Sequence, residues 1–135
     1  MRLGSLVLLT ASAVLTALPA LAHHSFAAQF DDTKPVKMTG TVTKVEWSNP
    51  HIWFYIDVKD KDGNATNWGF SGGPPGVMMR RGIAKNSIKI GDVVVVDGFR
   101  AKDGSNNASS GTVTFTDGRK VFTAAAEDTV PSESK

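Results

Sequence analysis

Cysteine is missing altogether from the 135 residues. That absence excludes a disulfide framework, a thiolate metal site, a cysteine nucleophile and the lipid-bearing cysteine of a lipoprotein. Whatever holds the domain together must be packing. An excess of charge of one sign is missing too: 15 Lys and Arg stand against 13 Asp and Glu, a formal +2. The chain therefore lacks the electrostatic footprint of a nucleic-acid-binding protein. The usual signatures of catalysis are also absent. No Gly-x-Ser-x-Gly elbow and no His-Glu-x-x-His appear, and "GGPPGVMMRRG" (72–82) lacks the Gly-Lys-Ser/Thr ending of a phosphate loop. The chain reads as a non-enzyme.

Long apolar runs are scarce, and the one present lies at the start. "LVLLTASAVLTALPALA" (6–22) follows a single basic residue, Arg2, and ends in the small-x-small triplet Ala20-Leu21-Ala22, the pattern of a secretory signal peptide. Thr10, Ser12, Thr16 and Pro19 interrupt it, so it falls short of the roughly 18–20 clean apolar residues that a spanning helix needs. Cleavage after Ala22 would leave 113 residues, enough for one small core, and would place the mature protein in the periplasm with no membrane contact. The expected organisation is a signal peptide at 1–22, an N-terminal arm at 23–35, one domain at 36–122 and a disordered tail at 123–135.

The domain reads as all-β. "VKMTGTV" puts Val36, Met38, Gly40 and Val42 on one face, after which the apolar phase jumps to Val45 and Trp47, as if a bulge fell near Lys44. "HIWFYIDV" alternates Ile52, Phe54, Ile56 and Val58 against His51, Trp53, Tyr55 and Asp57. "KDKDGNA" carries hairpin-turn chemistry, "SGGPPG" breaks regular structure, and "VMMRRGIAKNSI" (77–88) is the one plausible helix. Two or three further strands follow, around "GDVVVVDGFRA" and "GTVTFTDGRKVF". Three strands, a short helix and more strands predict a small OB-like barrel of five to six strands; a β-sandwich is the second choice. Sharp bends near Lys44 and Gly98 favour the barrel.

Histidine occurs only three times, and two copies, His23 and His24, directly follow the expected cleavage site. A mature N-terminal His23 would join its α-amine to its imidazole as a chelate. His51, in "WSNPHIWF", is the remaining imidazole, and three nitrogens of this kind suit copper or a similar divalent metal. His24 is a possible substitute. The bland alternative is a solvated start of the chain with His51 merely packed beside Trp53. Aromatic residues offer another site: Trp53, Tyr55 and Trp68 fall on the strands whose outer face binds ligands in OB-like barrels, so a small ligand or a periplasmic protein partner is the alternative reading. Against it, Phe26 and Phe30 of the arm are positioned to cover those rings. Arg80 or Arg81 are candidates to pair with Asp31 and Asp32 and so fix the arm.

"LAHHSFAAQFD", "TGTVTKVEWSNPHIWFYIDV" and "GDVVVVDGFRAKDGS" together resemble a family of small exported bacterial proteins catalogued only as a domain of unknown function. The resemblance extends over most of the mature chain and implies a periplasmic location and an OB-like barrel. At one position, His23, the sequence is also similar to periplasmic copper-resistance proteins and lytic polysaccharide monooxygenases. Their mature N-terminal histidine ligates copper. The rest of the chain departs from both groups, so this likeness implies metal chemistry at His23 and not oxygenase activity.

Overall fold

The computed structural model describes residues 26–125. The expected signal peptide, His23, His24 and the tail from residue 126 onward lie outside the described residues. Among the described residues no helix is long and apolar enough to cross a membrane.

The chain enters through one helical turn, α1 (Phe26–Gln29), directly continuous with a 17-residue strand, β1 (Phe30–Glu46). The expected arm is thus part of the sheet from Phe30 onward. β1 is long enough to serve two neighbours. Its first part pairs antiparallel with β4 (Val93–Ala101), from Phe30 opposite Ala101 to Thr41 opposite Val93. Its second part pairs with β2 (Trp53–Lys59), from Thr41 opposite Asp57 to Glu46 opposite Trp53. The bend that allows this sits where the sequence places it. The β1–β2 register shifts between Val42 and Lys44, and Gly40 lies so close to β2 that a Cβ would sit 2.5 Å from the Asp57 carbonyl oxygen.

β2 returns as a tight hairpin into β3 (Ala65–Ser71). The Asp60 carboxylate accepts from the backbone N–H groups of Asp62 and Asn64 in that turn, and Gly63 supplies the positive φ of 82° that the reversal requires. β3 then pairs parallel with β5 (Asn107–Ser109), and β5 pairs with β4. The ring β1-β2-β3-β5-β4-β1 is closed, as expected for an OB-like barrel, and closure satisfies backbone groups that an open sheet would leave at its edges. β6 (Thr112–Phe115) continues the path of β5 along β4, and β7 (Lys120–Phe122) adds an outer strand. At the break between β5 and β6 the backbone presses on β4: a Cβ on Gly98 would fall 1.7 Å from the Ser109 carbonyl oxygen. Only glycine fits there.

The interior is apolar. Val42, Phe54, Ile56, Trp68, Phe70, Ile88, Val94, Val96, Ala108, Val113 and Phe115 form one cluster, with Phe54 and Phe70 stacked at 5.6 Å between ring centroids. A smaller cluster of Ile52, Met78 and Ile83 closes one end, with Trp47 packed against it. Met78 comes from α2 (Pro75–Arg80), which is shorter than the expected span of 77–88. Pro74 as N-cap and Pro75 as first residue start it two residues earlier, because proline is tolerated in the first turn. Gly82, at φ 77°, ends it. Ile83 and Ile88 plug the barrel from turns instead.

The body also runs further than the expected boundary at 122, since Thr123, Ala124 and Ala125 are buried. Ser110 and Thr123 hydroxyls bond to each other in the interior. Arg81 donates to the carbonyls of Phe122 and Ala124, the latter at 2.6 Å, and lies over the Phe122 ring. Arg81 therefore ties down the C-terminal strand rather than the arm. Asp31 is satisfied within the irregular start of β1 by Thr33 and Lys34.

Candidate functional site

Side chains two apart on a strand share a face, so His51, Trp53 and Tyr55 form one outward row while Ile52, Phe54 and Ile56 between them are buried. The buried set anchors the backbone and makes the outer row a fixed platform. The Trp53 and Tyr55 rings are stacked, with centroids 6.4 Å apart and planes 22° from parallel. Tyr55 lies against Gly69 of β3, where a Cβ would be 3.0 Å from its ring. Its hydroxyl donates to Glu46 at 3.3 Å. Glu46 pairs with Lys44, whose ammonium stands 5.3 Å from the Tyr55 ring centroid. The hydrogen bond and charge of Lys44 hold the Glu46 carboxyl below its ordinary value, and Glu46 raises Lys44 in return. Burial, then Glu46, pushes the Tyr55 phenol up, so it stays a neutral donor.

Beside this platform lies a cleft of about 490 Å³, within the usual range for small-ligand sites. One wall is the entering chain, Ala28 to Phe30; the floor includes Trp53; the far wall is the β4–β5 connection with Lys102, Asp103, Ser105 and Asn107. The entering chain is held in place from that far wall. Lys102 donates its backbone N–H to Gln29 at 2.9 Å and its ammonium to the Ala27 carbonyl. Phe26 packs on Phe30 and edge-on to Phe99. The two phenylalanines thus fasten the arm to β4 and leave an open cleft beside Trp53, rather than closing a second core over it. In the far wall, Asn107 donates to Ser105 Oγ at 3.0 Å, and Ser105 donates its hydroxyl and its N–H to Asp103 Oδ1. These bonds hold the Asp103 carboxyl below its ordinary value.

His51 stands at the entry to β2. Its Nδ1 is 2.8 Å from the Gly72 carbonyl oxygen. A carbonyl only accepts, so Nδ1 carries the proton and the lone pair is on Nε2. Histidines that bind metals typically donate their other ring N–H in this way. Among the described residues no group of three or more His, Asp or Glu side chains is placed to hold a metal ion; His23 and His24, the other expected ligands, lie outside them.

Trp68 does not belong to the outer platform. Antiparallel pairing sets it opposite Ile56, so it shares the inner face, is buried in the main cluster and has the Arg100 guanidinium 5.3 Å from its ring centroid. The aromatic face therefore consists of Trp53 and Tyr55 alone. The residues of the far wall were not anticipated from sequence. "KDGSNNASS" reads as an ordinary polar loop, and the available signal was its position, because the connection before the last barrel strand borders the ligand face of OB-like barrels.

Residues 11–111 match the model of a family described as a family of unknown function. The chain belongs to DUF6152. The stretch shared with DUF6152 takes in all three histidines, the Trp53–Tyr55 platform and the far wall through Asn107. No curated protein and no solved structure is significantly similar to the chain.

Proposed function

We propose that this protein is a non-catalytic periplasmic binding module whose site is the cleft beside Trp53. The carrying observation is that cleft: an aromatic floor bordered by polar side chains that are already bonded to one another. Apolar area with a few fixed polar groups is the usual make-up of a small-ligand site. The Ser105 hydroxyl and the Asp103 carboxylate are bonded within one turn, with no histidine in the cleft lining to complete a catalytic triad, so the reading gives them binding rather than chemistry. The test is NMR titration of the mature protein with fractionated periplasmic small-molecule extract. A binding fraction is expected to move the Trp53 indole N–H and the Asn107 side-chain amide while leaving the buried Trp68 indole in place. Shifts confined to other surfaces would refute the cleft.

A second reading, copper or a similar divalent metal held by the His23 α-amine and imidazole with His51, is favoured by the His51–Gly72 hydrogen bond. That bond leaves Nε2 as the coordinating nitrogen. His51 stands two residues before Trp53, and Ala28, the first arm residue lining the cleft, lies five residues after His23, at most about 18 Å of chain. Native mass spectrometry of the exported protein with one equivalent of Cu(II) should give a start at His23 and one bound copper. His51→Ala and a variant with one extra N-terminal residue should each lose it; equal binding by all three would end this reading.

A further inference from the structure

The chemistry of the cleft narrows what it takes. Its two charged side chains, Lys102 and Asp103, are opposite in sign and adjacent, so the site attracts neither anions nor cations strongly. Lys102 gives one of its three ammonium hydrogens to the Ala27 carbonyl, which turns it toward the arm, and the adjacent Asp103 offsets its charge. What remains is one accessible indole, Trp53, and a chain of fixed polar groups running from Asn107 through Ser105 to Asp103. Asp103 takes the two bonds from Ser105 on Oδ1. Gln29 adds an amide from the opposite wall.

An indole face against a rim rich in amide and carboxylate acceptors suits a molecule with one apolar face and hydroxyls around its edge. A pyranose ring has that form: axial C–H groups on one side and neighbouring equatorial hydroxyls that donate to side-chain oxygens. Because the acceptors are held in place before a ligand arrives, little is lost in ordering them. The face in question is also one on which OB-like barrels bind oligosaccharides as well as oligonucleotides, and a lining whose one lysine is offset by Asp103 speaks against the latter. We propose that the cleft binds a neutral carbohydrate, with a sugar ring stacked on Trp53 and adjacent hydroxyls bonded to Asp103 and Asn107. This rests on the cleft being the functional site.

The test uses mature full-length protein and NMR titration with neutral mono- to pentasaccharides of glucose, mannose and N-acetylglucosamine, alongside AMP and spermidine. At least one neutral saccharide is expected to shift the Trp53 indole and Asn107 amide. Trp53→Ala should weaken that saccharide's binding by about tenfold. Asp103→Asn, an exposed substitution that keeps the side chain's size, should weaken it by roughly three- to tenfold. Saccharide binding unchanged in both variants would overturn the proposal. Shifts at Trp53 with AMP or spermidine but with no saccharide would overturn the carbohydrate assignment and keep the cleft as a binding site. No shift at Trp53 with any probe to millimolar concentration would count against both.

Discussion

The two faces of β2 are built from alternate residues of the same seven-residue strand, yet they obey different rules. On the inner face Phe54 and Ile56 are wholly excluded from water and belong to the apolar cluster. On the outer face Trp53 and Tyr55 are half-buried, their rings are stacked, and the groups around them are ionised or hydrogen-bonded. The inner face sets stability, where each methylene removed leaves a void. The outer face contributes little to stability, and its residues are therefore free to be chosen for recognition.

The largest effect should come from breaking the inner face. Phe54→Ala removes a fully buried ring stacked on Phe70 and is expected to cost about 3–5 kcal/mol. Trp53→Ala, one residue away, should cost about 1 kcal/mol through the lost stack with Tyr55. Denaturant unfolding of the two variants measures the contrast directly, and equal losses would abolish it. Gly69→Ala sharpens the boundary. Its Cβ would meet the Asn107 Oδ1 at 2.5 Å and the Tyr55 ring at 3.0 Å, both of which are side chains able to yield. The expected loss is about 1–2 kcal/mol, with displaced Asn107 and Tyr55 resonances and an undisturbed Phe54–Phe70 pair.

The smallest effect is electrostatic. Glu46 has its carboxyl lowered by Lys44, so its contribution is present above the unfolded carboxyl value, near pH ~4, and fades as pH falls through the folded one. Lys44 and Tyr55 are both raised. Their contributions are present below about pH 10 and are lost as pH climbs through the folded values. Thermal melts of wild type and Glu46→Gln should therefore differ slightly between about pH 5 and 9 and converge at the acid end. A gap that persists in acid would show that Glu46 acts by shape rather than charge.

How far the sequence went is clearest on this strand and its partner. The period-two alternation in "HIWFYIDV" assigns both faces correctly, because a strand buried on one side advertises itself. Trp68 went astray because "TNWGF" is too short to show a phase of its own. The missing step was counting across the hairpin. With Lys59 opposite Ala65, three steps further along each strand bring Ile56 opposite Trp68, which makes Trp68 a core residue. The irregularity at Lys44 was legible as a phase jump, whereas Gly98, expected as a bend, keeps its register with β1 and instead marks the close approach of Ser109. The helix length was overread: Ile83 and Ile88 are buried but stand five residues apart, not the three or four of a helix face, and Gly82 turns the chain away. The far wall of the cleft was not legible from its own residues, because nothing local in "KDGSNNASS" records that the chain returns there to face Trp53 and the arm; only its place before the last barrel strand pointed to it.

Closure of the barrel also has a consequence for when the protein can fold. β1 finds its long partner β4 some sixty residues later, and β3 is sealed by β5 only at Asn107–Ser109. Contacts so distant in sequence form late, after the entropy of large loops has been overcome. A chain emerging amino end first therefore has no closed ring, only a β1–β2–β3 meander, until most of its length is free. Until Asn107–Ser109 is available the chain stays an open meander, and that same joint then locks the ring shut.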